Sequence, residues 1–105
     1  MTVLFHVTHV HTCETCPAAL GDPELARKTF GTVVSDEHAK KIGVRLLSSY
    51  ADAPAHTTFF IVEADSSEKV GGFLLPLLKL GNAEIRPVTD LVEEVKRKME
   101  EAKRI

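Results

Sequence analysis

The chain has 105 residues and a mass of 11.5 kDa, the size of one domain with a modest hydrophobic core. Its composition, 44% apolar and 27% charged with a net charge of -2, gives no electrostatic attraction for nucleic acid or anionic membranes. No apolar run approaches the roughly 20 residues that span a bilayer, and the N-terminus lacks the basic region of a signal peptide. We therefore expect a cytoplasmic protein with a single domain, residues 1–105.

The first predicted element is a strand over Thr2–His11. Val3, Phe5 and Val7 alternate there with a second set of largely apolar positions, so both faces of the strand should be covered. This pattern favours a central place in a sheet. A loop is expected over residues 12–21.

Two helical pieces are predicted next. Asp22 followed by Pro23 begins a helix that runs to Phe30, because Asp is a favoured N-cap and Pro fits the first helical position. Gly31 and Thr32 are expected to break or kink this helix.

The second helical piece covers residues 36–42, with Ser35 as its N-cap and Gly43 as its stop. Two strands, Val44–Ala51 and His56–Ala64, follow it. Turn-forming residues separate the two strands, which predicts that they are neighbours joined by a short connection.

A further helix and strand follow. Asp65 and Glu68 have the spacing of a capping box at the start of the helix, which Gly81 is expected to end. Pro76 should kink or shorten that helix. Residues Asn82–Val88 are predicted as the fourth strand.

The last segment, residues 89–105, is predicted to hold a C-terminal helix over Leu91–Lys103 with Asp90 as its N-cap. Its apolar residues form one narrow stripe: Leu91, Val95, Met99 and Ala102. The element order is then β-α-β-β-α-β plus a helix, an α+β pattern of the ferredoxin-like type with a four-stranded antiparallel sheet.

Three stretches carry a resemblance to a known family: Gly43–Leu47, His56–Asp65 and Glu84–Val88. Together they resemble the dimeric α/β-barrel superfamily, in particular an uncharacterised branch of small proteins. The resemblance implies a strand order of 4-1-3-2 and a homodimer whose two sheets face each other to form a barrel. The superfamily includes small monooxygenases, haem-handling enzymes and lactone isomerases, and no catalytic residue of theirs can be matched onto this sequence.

That topology brings distant residues together. The end of the first strand lies beside the start of the third strand and the start of the fourth. His9 and His11 are therefore expected near His56 on one side and near Glu84 on the other.

The stretch Phe5–Pro17 holds three of the five histidines and both cysteines. His9 and His11 are two residues apart on a strand, so their side chains share a face with Cβ atoms about 6.5–7 Å apart. Cys13 and Cys16 have the C-x-x-C spacing that lets two thiolates bind one ion. We predict a metal site from this stretch, with His56 as a further ligand.

Imidazole and thiolate ligands favour zinc, iron, copper or nickel over magnesium or calcium. Each pattern also has a plainer interpretation. His9 and His11 could be partly solvated strand-end residues, and the two cysteines could be ordinary loop thiols or a redox pair. These alternatives stay open at the level of the sequence.

His6 has the opposite parity on the first strand and should face away from His9 and His11. In the barrel implied by the resemblance it would face the interior, either as a hydrogen-bonded histidine or as a catalytic acid and base.

Three functions follow from these patterns. The first is a cytoplasmic homodimer that binds a transition metal for storage, sensing or a small redox reaction. The second is an enzyme of the small-monooxygenase or isomerase kind, with His6 in the wall of a cavity that takes a small molecule. The third is a non-catalytic structural dimer.

Overall fold

A computed structural model describes residues 2–104 of the chain. The fold is α+β, with a four-stranded antiparallel open sheet and helices. Its strands are β1 (Val3–His11), β2 (Arg45–Asp52), β3 (Thr57–Ala64) and β4 (Gly81–Val88). Their order is β2-β3-β1-β4, which is the expected order counted from the opposite edge.

Five α-helices complete the described part of the chain: α1 (Pro17–Leu20), α2 (Pro23–Ala26), α3 (Asp36–Ile42), α4 (Ser67–Leu78) and α5 (Leu91–Lys103). A π-helical turn over Arg27–Gly31 continues α2. No helix within residues 2–104 has both the length and the apolar character needed to cross a bilayer.

The core lies between the sheet and α4. β1 occupies the centre of the sheet, where Val7 is the register partner of Phe60 on β3 and of Ile85 on β4. Phe73 of α4 packs its ring edge-on against Phe60, with 6.4 Å between the ring centroids. Both rings are almost fully buried, and burial of a large apolar side chain stabilises the fold by about 1.5–3 kcal/mol.

Side-chain caps begin three of the helices as the sequence predicts. The Asp22 carboxylate accepts a hydrogen bond from the Leu25 backbone N–H at 3.0 Å, and the Ser35 hydroxyl accepts one from His38 at 3.3 Å. The Asp90 carboxylate begins α5 in the same way. Each cap satisfies a backbone N–H that the helix itself leaves free, an interaction worth about 1 kcal/mol.

Other boundaries differ from the sequence predictions. Ser66, not Asp65, is the N-cap of α4, and its hydroxyl accepts from the Lys69 backbone N–H at 3.3 Å. Pro76 lies within α4, which ends two residues later at Leu78 and is shorter than a helix that runs to Gly81. Gly81 begins β4 and therefore does not serve as a helix stop.

Two further boundaries differ near the site. The expected loop after β1 contains the short helix α1, and the chain continues through Gly31 as a π-helical turn instead of breaking there. His56 lies in the turn before β3 and is not its first residue. Local packing therefore extends the helices and shortens the strand relative to the sequence pattern.

Gly81 gives a direct test of the β1–β4 register. A Cβ atom at this position would fall on the Val10 carbonyl oxygen and within 2.8 Å of the His11 Cα atom, both of which are backbone. We expect Gly81→Ala to lower the free energy of unfolding by about 1–3 kcal/mol or more, because the strands must move apart. Urea unfolding followed by circular dichroism measures this loss.

Gly71→Ala is the matched control, because a Cβ atom at Gly71 in α4 meets nothing within 4 Å. We expect it to be neutral or to stabilise the protein by up to about 1 kcal/mol, since Ala favours helix. Equal stabilities for the two variants would contradict the close approach of β1 and β4.

Candidate metal centre

His11 is the last residue of β1, on the face of the strand that packs against the helices. Its side chain is only 8% exposed, and its Nδ1 atom is buried without a hydrogen-bond partner. Such an atom is unusual in a folded protein, where nearly all buried polar atoms are bonded. The buried Nδ1 atom of the neighbouring His9 also lacks a partner, so unmet hydrogen bonds are concentrated at this pair of histidines.

His56 is brought to His11 by the backbone. The His11 N–H donates to the His56 carbonyl oxygen at 3.0 Å, and the two imidazole rings meet edge to face with 5.1 Å between their centroids. His56 has a φ angle of 49°, in the left-handed region that residues other than glycine seldom adopt. Backbone strain of this kind concentrates at functional positions.

Cys16 reaches the same place through a turn. The Thr15 N–H donates to the Thr12 carbonyl oxygen at 3.1 Å, which folds the chain back after β1. Cys16 then serves as the N-cap residue of α1, with Pro17 at the first helical position. Its side chain is buried and not in a disulfide.

Together His11, Cys16 and His56 form a group that could hold a metal ion. One ligand atom from each residue lies within 4.8 Å of one ligand atom from each of the others. Within residues 2–104, this is the one set of three or more His, Cys, Asp or Glu side chains with that geometry. The sequence predicts all three residues as ligands, and the structure brings them together.

His9 lies outside this group, although its ring stacks on that of His11 with 5.6 Å between the centroids. Its Nε2 atom is 2.8 Å from the Leu77 carbonyl oxygen, to which Nε2–H donates. This bond ties β1 to the end of α4. His9 is fully buried and therefore has a packing role that the sequence pattern did not reveal.

Burial keeps both strand histidines neutral. It lowers the pKa of His9 from its ordinary value of 6.5, and the hydrogen bond to Leu77 offsets part of this effect. Burial also lowers the pKa of His11, with smaller contributions from the charges of His9 and His56. Neutral imidazole is the form that binds a metal ion.

Cys13 also lies outside the group, and its side chain is exposed on the loop. Its Sγ atom is nevertheless 3.3 Å from Nε2 of His56. Cys13 is thus placed to orient the His56 ring, as a hydrogen-bond partner does for many metal-binding histidines.

The other face of β1 carries His6, which is half-buried and lies 6.2 Å from the ring of Phe59, centroid to centroid. Glu84 is the register partner of Thr8 and shares that face, where it forms an ion pair with Arg86 at 2.8 Å. The Glu84 carboxylate is therefore directed away from the His/Cys group. The catalytic role of His6 stays a prediction.

A pocket of about 470 Å³ adjoins the group, and His11, Cys16 and His56 all line it. The sequence predicts a possible cavity between the sheet and the helices with His6 in its wall, whereas this pocket is lined by His11 and not by His6. Its remaining walls come from α1, α2, Phe30 and the hairpin between β2 and β3. The sequence holds one signal for this pocket. Ala18 and Ala19 are small residues next to the C-x-x-C motif, and small side chains leave open space.

Comparison with family models, with curated proteins and with solved structures finds no match for this chain. The geometry and chemistry of the site therefore carry the functional inference.

The lowered pKa of His9 predicts acid sensitivity of the metal-free protein. The unfolded chain binds a proton at His9 near pH 6.5, whereas the folded protein does so only at lower pH, so stability rises with pH between the two values. We expect the free energy of unfolding to fall as the pH drops from 6.5 towards 5. Guanidinium unfolding in the presence of a chelator, from pH 8 to pH 5, measures this slope.

His9→Gln removes the titrating group and keeps an N–H donor for the Leu77 carbonyl oxygen. Its stability should depend less steeply on pH than that of the wild type, with the remaining slope due to His11. Parallel curves for the two proteins would contradict a neutral, buried His9.

Proposed function

We propose that this protein binds one transition-metal ion per chain through the imidazoles of His11 and His56 and the thiolate of Cys16. The observation that carries the proposal is the convergence of these three side chains, from two separate parts of the chain, to within 4.8 Å. The unpartnered Nδ1 atom of His11 supports it.

The spacing suits an ion after a small adjustment. Metal bonds of 2.0–2.3 Å in a tetrahedral arrangement place the ligand atoms about 3.4–3.8 Å apart. Ligand atoms within 4.8 Å therefore need to move by no more than about 1 Å. Side-chain rotation supplies such a shift without moving the strand or the turn.

The ligand types limit the metal. Two neutral nitrogens and one thiolate are borderline-to-soft ligands, which favours zinc, iron, copper or nickel and disfavours magnesium and calcium. The absence of a carboxylate from the group of His11, Cys16 and His56 agrees with this preference.

Three protein ligands leave a fourth tetrahedral position open, as in catalytic metal sites. His11, Cys16 and His56 all line the same pocket, and Cys13 does not, so the open position would face the pocket. Cys13 would then hold the His56 ring from the outside. A metal with an exchangeable position serves sensing or a small reaction better than storage.

Metal analysis of protein purified without a histidine tag tests the proposal. We expect about one equivalent of metal per chain in the wild type. The variants His11→Ala, Cys16→Ala and His56→Asn should each lose more than about 100-fold in metal affinity, a larger effect than loss of an orienting partner. Asn is chosen at position 56 because it tolerates the left-handed backbone of His56.

His6→Ala is the matched control, because His6 lies on the same strand but on the opposite face. It should keep the wild-type metal content. An equal loss in His6→Ala and His11→Ala, or retention of metal by all three ligand variants, would rule out the assigned site.

We also propose that the chain is a ferredoxin-like subunit that pairs as a dimeric α/β barrel. Two uncovered apolar surfaces support this. One is the open sheet face with Phe59, Ile61 and Tyr50, which lies opposite the core. The other is the stripe of α5, whose Val95 and Met99 are 46% and 60% exposed.

The shape of the chain agrees with a missing partner. Its radius of gyration is 16.4 Å, whereas a compact chain of this length has about 13 Å. Within residues 2–104, α5 has no substantial packing contact with another element, so it extends as an arm. A second copy would bury both the arm and the sheet face.

Aspartates on the stripe test the dimer. We expect the wild type to have twice the mass of one chain by light scattering, and the double variant Val95→Asp, Met99→Asp to be a monomer, because buried carboxylates without partners are costly. The control Arg97→Asp, Glu101→Asp changes the opposite side of α5 and should stay dimeric. A monomeric wild type would contradict the proposal.

A further inference from the structure

The pocket beside the His/Cys group differs from that group in chemistry. Its walls are mostly apolar side chains, among them Pro17, Ala18, Ala19, Ala26, Ala51 and the large ring of Phe30. Its volume of about 470 Å³ is within the range of pockets for small molecules and cofactors. Apolar walls with a few convergent polar atoms are typical of such sites.

The metal-binding atoms of the pocket lie together, and its other polar lining residues are Asp52, Thr57 and Thr58. His11, Cys16 and His56 form one patch of its wall, and Asp52 is the only lining residue with a carboxylate among the described ones. None of the lining residues is a lysine or arginine. An anionic group on the part of a ligand that lies away from the metal would therefore lack a compensating positive charge and would be repelled by Asp52.

We propose that the pocket binds a small molecule with an uncharged, apolar body and a single nitrogen, oxygen or sulfur donor. The donor occupies the fourth position of the metal, and the apolar body lies against the alanines and Phe30. This inference rests on the proposed metal site, because without the ion the pocket has no strong anchor for a donor atom.

Three observations carry the assignment of ligand class. The metal-binding residues and the apolar walls line one pocket, so a ligand bound to the metal through its donor atom would place its apolar body against those walls. The side chains of Ala18, Ala51 and Ala53 are small, which leaves the space beside the metal group open. Aromatic packing is available from Phe30, whose ring centroid is 5.5 Å from that of His11.

Cobalt-loaded protein gives a direct test, because the visible absorption of bound Co²⁺ changes when a ligand enters its coordination sphere. The probes are imidazole, N-butylimidazole and the anionic imidazole-1-butanoate. We expect all three to bind through nitrogen. N-butylimidazole should bind at least about tenfold more tightly than imidazole, since each buried CH₂ contributes roughly fourfold. The anionic probe should bind no more tightly than imidazole.

Variants of the pocket wall separate its role from that of the metal. Ala51→Leu narrows the pocket and should abolish the preference for N-butylimidazole while leaving cobalt stoichiometry and imidazole affinity unchanged. Ala18→Leu is a second variant with the same expected effect. Ala55→Leu, in the same hairpin but outside the pocket lining, is the control and should behave as the wild type.

The outcomes distinguish the two proposals. Failure to bind cobalt overturns the metal site and this inference with it. Cobalt binding without a spectral response to imidazole means that the fourth position is closed, and overturns this inference alone. Equal affinities for the butyl, anionic and parent probes would show that the apolar body does not bind in the pocket. That result would also overturn this inference alone.

Discussion

The antiparallel register of β1 decides which of its side chains face the helices. Val7 is set opposite Phe60 and Ile85, and alternate residues of the strand, among them His9 and His11, follow it onto the same face. A slip by one residue would move the apolar set out of the core, so burial holds the register firmly. The two histidines therefore occupy the helix side of the sheet because the core fixes the register.

Backbone geometry then assembles the candidate site at the end of that strand. The absent side chain at Gly81 lets β4 approach β1 beside His11. The hydrogen bond from the His11 N–H to the His56 carbonyl oxygen brings the hairpin turn to the same point. The first turn of α1 places Cys16. None of these three structural features requires a metal, so the protein can position the ligands before an ion binds.

The two strand histidines show how burial separates a structural role from a binding role. Desolvation lowers the pKa of both, so both are neutral at ordinary pH. His9 has its hydrogen bond to the Leu77 carbonyl oxygen and contributes to packing. The Nδ1 atoms of both rings are buried without a hydrogen-bond partner, which costs about 1–3 kcal/mol each in the free protein, but only His11 belongs to the His/Cys group. A metal ion bound by His11 would give its buried imidazole a partner that the protein does not supply.

The sequence by itself determined the alternation of β1, the helix caps at Asp22 and Ser35, and the concentration of potential ligands after Phe5, because these depend on residues close together in the chain. It also determined that His6 faces away from His11. Only the tertiary structure decided that Cys16 and His56 meet His11 while His9 does not, and that an apolar pocket adjoins them. Such distances depend on the path of loops and on contacts between elements far apart in sequence, which no local pattern encodes.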